Sequence, residues 1–176
     1  MRYRIGISSL DQVAVRAREI RATHQLVVLD AHDHVRAVLL KRVPTTNRLI
    51  LDVGDLEAPT APSACTEEVM ASILAFGRRM PNRGGLLINC WAGSSRSGAA
   101  ALALLAQEHG QDRLDEAGLL LSKLAPRAYP NRLMTALADE ALGLRGGLLR
   151  VLQAVRERVD RQAVADFEAH AERGQG

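Results

Sequence analysis

The stretch Cys90-Trp91-Ala92-Gly93-Ser94-Ser95-Arg96-Ser97 sets a thiol, a glycine, three serines and an arginine within eight positions. It follows the apolar run Leu86-Leu87-Ile88-Asn89 and precedes a helix-like segment, Gly98 to Gln107. A helix start offers unpaired backbone N–H groups and a partial positive charge, so a loop there binds anions and favours a thiolate over a thiol. Gly93 lets the backbone turn successive N–H groups inward. Ser94, Ser95 and Ser97 leave the cradle open, and the planar fork of Arg96 matches two phosphate oxygens at once. Cys90 is therefore a nucleophile beneath a cradle formed by the backbone of Trp91, Ala92, Gly93, Ser94, Ser95 and Arg96. A nucleophile, an anion cradle and a fixed cation together make a phosphate-transfer site. A buried structural cysteine is the common fate of a lone thiol, but it needs no arginine six positions on. The Walker-type loop is not matched, since Gly-Lys-Ser/Thr is missing and that loop only holds phosphate.

The elements that must position this loop follow from periodicity. Tyr3 to Ile7, Gln25 to Asp30, Arg48 to Val53 and Leu86 to Cys90 predict strands. Leu10 to Ala22 predicts a helix, capped by Ser8 or Ser9, with Val13, Ala17 and Ile20 inward. Thr66-Glu67-Glu68 starts another that runs to Arg79, with Val69, Ile73, Leu74 and Phe76 inward, and Pro81 to Gly85 ends it. Val35 to Val43 fits helix or strand, and Ala58 to Ser63 reads as a loop. After Cys90 the chain is helical: Ser97 to His109, Arg113 to Leu124, Asn131 to Leu142, and Gly147 to about Glu172. The last alternates Leu, Val and Ala with charges and predicts a packed amphipathic helix with one solvated face. The fold class is α/β, with a short, mainly parallel central sheet flanked by helices and a helical C-terminal half.

Composition agrees with one domain over 1–176, large enough to bury a sizeable core. Hydrophobic residues are 47% and charged residues 24%, but aromatics only 3%, so the core must be mainly Leu, Val, Ile and Ala. The net charge of +3 is interspersed with acids, so no nucleic-acid stripe is expected. Two cysteines, Cys65 and Cys90, do not make a disulfide framework, and a reduced, cytoplasmic setting fits. No signal peptide or membrane span is read at the N-terminus or elsewhere. His32 and His34 have metal-pair spacing but no evident third ligand, and a solvated loop is the expectation. No metal and no cofactor is expected.

Cys90-x5-Arg96-Ser97 with Gly93 resembles the signature of cysteine-dependent protein tyrosine phosphatases, above all their compact dual-specificity-like branch, found also in bacteria. Residues 48–110 carry the likeness most clearly. Leu51-Asp52-Val53-Gly54-Asp55 lies where that family has its general-acid loop, and Pro126 to Asn131 resembles a downstream segment of bacterial relatives. The mid-chain cysteine differs from low-molecular-weight phosphatases and arsenate reductases. The resemblance implies attack by Cys90 to form a phosphocysteine, phosphate held by the 91–96 amides and Arg96, and Ser97 assisting the departing thiolate. It implies an acid on the upstream loop, with Asp55 favoured and Asp52 the alternative, because an approaching acid belongs on a loop.

One position departs from the family, which usually has histidine before the cysteine where this chain has Asn89. An amide donates hydrogen bonds but never becomes cationic, which would weaken the bias toward the thiolate. Trp91 is expected behind the cradle, with the pocket mouth as the other placement. Cys65 is expected buried or in a loop, and a regulatory disulfide with Cys90 is the sharper reading. The substrate is a phosphorylated protein or peptide, phosphotyrosine first, with phosphoserine and phosphothreonine left open. The rivals are a catalytically weak phosphopeptide-binding protein, an enzyme on a phosphoinositide, and a rhodanese-like sulfur carrier. The sequence does not give the oligomeric state.

Overall fold

Four β-branched or leucine-rich segments pair into one sheet; three of them are buried almost throughout, whereas the third in chain order is an edge strand with no fully buried residue. The structure is a computed structural model that describes residues 1–30, 43 and 47–173. The strands are β1 (Arg4–Ser8), β2 (His24–Leu29), β3 (Asn47–Asp52) and β4 (Gly85–Asn89), ordered β1-β4-β2-β3 with every pairing parallel. β4 is buried along its whole length, as an inner strand must be. Register aligns Ser8 with Asn89, Val27 with Asn89, and Leu29 with Asp52. The loops after β1, β3 and β4 therefore leave the same edge of the sheet. Ligand sites of open parallel sheets form there.

Alternation along the strands sorts the two faces. Ile5, Ile7, Leu26, Val28, Leu86 and Ile88 join the main core, while Leu87 packs with Val13 and Ala17 of α1 (Val13–Glu19) and with Ile20 at its C-terminal cap. The main face is covered by α2 (Glu67–Arg78), α3 (Arg96–His109), α4 (Leu114–Leu124), α5 (Arg132–Ala141) and α6 (Gly147–Arg173). A 3-10 turn at Gln111–Arg113 joins α3 to α4. α3 is buried from Arg96 to Ala106, and five alanines there let neighbours approach from every side. A helix apolar all round belongs at the centre of a domain. The cradle thus opens onto the N-terminus of the most enclosed helix.

The sheet is α/β and parallel as the sequence predicts, and most helix ends agree. Thr66 caps α2, its hydroxyl accepting from Val69 N at 3.4 Å. Some details differ. Neither Ser8 nor Ser9 caps α1; β1 runs through Ser8, so the chain turns over Ser9 to Gln12 and Gln12 stands at the cap without a side-chain hydrogen bond. The inward seam of α2 is Met70, Ile73, Leu74 and Gly77, with Val69 and Phe76 only flanking it. Gly77 sets that seam, since a Cβ there would lie 2.4 Å from Leu104 of α3. α6 packs through Leu148, Val151, Leu152 and Val155, but beyond them it is largely exposed, with Phe167 75% accessible. Its two-faced pattern is therefore satisfied only in its first half. The His32/His34 pair lies outside the described residues, as does Val35 to Val43 apart from the buried Val43.

Candidate active site

β4 ends at Asn89 and delivers Cys90 to the loop at the sheet's edge, with its sulfur buried. Cys90 Sγ lies 3.1 Å from Ser97 Oγ, in the first turn of α3. Gly93 has φ +72°, which an L side chain adopts only at a cost. The loop rests on the end of β1, where Leu10 N donates to Trp91 O at 3.0 Å. Its far side is braced through Ser94, whose Oγ donates to Arg127 O at 3.0 Å and accepts from Tyr129 N at 3.1 Å.

Arg96 is buried, and its Nη1 donates to Val53 O at 2.8 Å, which fixes the guanidinium plane. Its Nε is buried with no hydrogen-bond partner among the described residues. A buried guanidinium N–H that no protein group satisfies suits an anionic ligand. Ser95 occupies the cap position of α3, yet its side chain makes no cap hydrogen bond. Its Oγ donates instead to Asp55 Oδ1 at 2.6 Å, so the helix's first amides are not taken by a capping side chain.

Asp55 is the upstream carboxylate that meets the cradle. Besides Ser95, its Oδ1 accepts from Asn131 Nδ2 at 3.0 Å, and its Oδ2 lies 4.0 Å from Arg96 Nε. Asp52 stands exposed at the end of β3. Asn131 is buried and divides its amide between two tasks. Its Oδ1 caps α5 by accepting from Met134 N at 3.0 Å, while Nδ2 also reaches Leu56 O at 3.1 Å. Its own N donates to Ser95 O at 3.2 Å, tying the acid loop, the cradle and α5 at one residue.

Asn89 faces the sheet and accepts at Oδ1 from buried Gln25 Nε2 at 2.8 Å. Gln25 Oε1 accepts in turn from Arg48 Nε at 2.7 Å. Arginine only donates, so both amide orientations follow from that end of the chain. Position 89 is thus the last member of a polar row that runs from half-buried Arg48 through buried Gln25. Trp91 does not pack behind the cradle: it is 52% exposed, and its carbonyl accepts from Leu10 N. Both cysteines are free thiols; Cys65 is buried before α2, and burial pushes it up to about 11.

Three residues of this site were not singled out from the sequence. Asn131 carried two signals, its place in the Pro126 to Asn131 segment and an Asn at a helix start, and neither marks a contact to the Asp55 loop. Gln25 lay in an apolar strand, where a polar residue signals a buried partner. Arg156, on α6, carried none, since its partner Glu57 lies 99 positions away.

No family model and no curated protein matches the chain. Solved structures do. The Yvh1 phosphatase domain from Chaetomium thermophilum superposes with a TM-score of 0.54 at 20% identity, covering 82% of this chain and 92% of that one. DUSP15 gives 0.52 at 14% identity over 88% of this chain and 91% of that one. PTPMT1 in complex with PI(5)P gives 0.51 at 13% identity, covering 91% and 94%. At such identities the likeness is one of fold, and the fold is that of the dual-specificity and protein tyrosine phosphatases.

Proposed function

We propose that the chain is a cysteine-dependent phosphomonoesterase that hydrolyses phosphotyrosine in proteins, with phosphoserine and phosphothreonine as further substrates. The observation that carries this reading is the convergence on one cradle of Cys90, held 3.1 Å from Ser97, with buried Arg96 and with Asp55. In the first step the Cys90 thiolate attacks phosphorus in line; the S–P bond forms as the P–O bond to the leaving group breaks. Asp55 gives its proton to the leaving oxygen. The amides of residues 91–96 and Arg96 hold the equatorial oxygens as charge redistributes. In the second step Asp55 takes a proton from water, whose oxygen attacks phosphorus, and the S–P bond breaks toward a thiolate that accepts a hydrogen bond from Ser97.

Residues 91–95 contain no lysine or arginine to meet further phosphates, which weighs against a phosphoinositide. The test compares wild type with Cys90→Ser on p-nitrophenyl phosphate, on phosphotyrosine and phosphoserine peptides, and on a phosphoinositide. Turnover of the phosphotyrosine peptide should fall by roughly 10³-fold or more in the variant while the peptide still binds. A Cys90→Ser protein that turns over at the wild-type rate overturns the mechanism. A wild type that binds phosphopeptide without turnover replaces it with the phosphopeptide-binding reading suggested by Asn89.

A further inference from the structure

The loop after β3 carries two carboxylates, and the mechanism uses only one. Two residues beyond Asp55, Glu57 Oε1 accepts from Arg132 N, the first amide of α5, at 3.1 Å and from Arg156 Nη2 of α6 at 2.5 Å. Arg156 is fixed independently of that pair. Its Nε and Nη2 donate to Pro130 O at 3.1 and 2.7 Å, and its guanidinium lies 4.5 Å from the centroid of the Tyr129 ring. An exposed ion pair ordinarily contributes little because two long side chains must be ordered to make it. Here the arginine is already ordered, so Glu57 meets a preset fork. The effect shows on Glu57, whose carboxyl is held below the usual range, first by the Arg156 hydrogen bond and then by the Arg132 amide.

The acid loop has little else to hold it. Residues 55–60 are exposed, and Leu56, its one large apolar side chain, is 37% accessible. Polar contacts must therefore set where Asp55 sits. Asn131 grips Asp55 and Leu56, and Glu57 continues the same edge onto α6, which the core anchors through Leu152 and Val155.

We infer that Glu57 and Arg156 are positioning residues for the general acid, their ion pair fastening the Asp55 loop to α6 above the cradle. This rests on the roles proposed for Cys90 and Asp55. Hydrogen exchange across residues 53–63, and kcat/KM for p-nitrophenyl and phenyl phosphate, are measured on the full chain for wild type, Glu57→Ala, Arg156→Met and the double variant. Phenol leaves poorly and needs the acid, whereas p-nitrophenol needs it much less. Each single variant should exchange faster at 53–63 and raise the p-nitrophenyl to phenyl ratio by roughly 3–10-fold, with little further change in the double variant. A merely structural role would lower both substrates together and leave the ratio unmoved. Unchanged exchange in both single variants overturns the latch, whether or not the protein is an enzyme. Faster exchange with an unchanged ratio in an active enzyme overturns the positioning role. A wild type without turnover instead overturns the catalytic reading and this role with it, while exchange still decides the fastening.

Discussion

Replacing Gly93 by alanine separates the cradle's shape from its chemistry. Gly93 has φ +72°, and a Cβ there would lie 2.5 Å from Ser9 N and 2.6 Å from Ser8 C. Both are backbone atoms at the end of β1, and carbon contacts relax only near about 3.5 Å, so the loop must retreat by roughly 1 Å. Left-handed backbone adds about 1–2 kcal/mol for a residue with a Cβ. In a domain of this size that lowers Tm by about 2–8 °C. A cradle displaced by about 1 Å loses on the order of 10²-fold in rate. Gly110 is the control: its φ is +74°, but nothing lies within 4 Å of a Cβ there. Gly110→Ala should lose stability alone, whereas Gly93→Ala should lose both Tm and kcat/KM on p-nitrophenyl phosphate, with weaker inhibition by tungstate. If Gly93→Ala stays within about threefold of wild type in kcat/KM while folded, the fit against β1 does not shape the site.

The remaining predictions concern the acid and the second thiol. Asp55→Asn keeps an acceptor for Ser95 and Asn131 but has no proton to give, so kcat/KM on phenyl phosphate should fall about 10²–10⁴-fold, with a smaller loss on p-nitrophenyl phosphate. Asp52→Asn should leave both nearly unchanged, and the reverse order would transfer the acid role to Asp52. Burial raises the Cys65 thiol from 9.0 to about 11. The folded chain therefore keeps that proton where the unfolded chain has released it, so stability is full below pH 9 and declines as pH rises toward 11. The shift corresponds to at most about 2–3 kcal/mol. Urea midpoints across that range should fall less steeply for Cys65→Ala than for wild type; identical slopes would refute the assignment.

Local patterns were enough to predict the strands and most helices. β4 reads as an unbroken apolar run because both its faces are buried, and α3 as small and apolar because it is enclosed. The candidate loop was equally legible, since Cys90, Gly93, Arg96 and Ser97 lie within eight positions. Alternation does not tell which flank of a helix a neighbour will meet, and Gly77 moved the α2 seam by admitting Leu104. Nor does it set side-chain direction in a loop. Trp91 is half-exposed, on a loop whose backbone is held by Leu10 from another strand's connection.

The sequence by itself determined a parallel α/β sheet and a thiol on a loop at a helix start, because strand burial, helix starts and the Cys-x5-Arg spacing are properties of neighbours in the chain. Tertiary structure decided which aspartate meets that loop. Asp52 and Asp55 differ little in sequence, but shared register through β2 ends β3 on the same side of the sheet as β4, and the turn that follows brings Asp55 onto Ser95 and Asn131. It also decided what holds that aspartate in place: a carboxylate at 57 and a guanidinium at 156 become neighbours only when α6 packs back along the bundle.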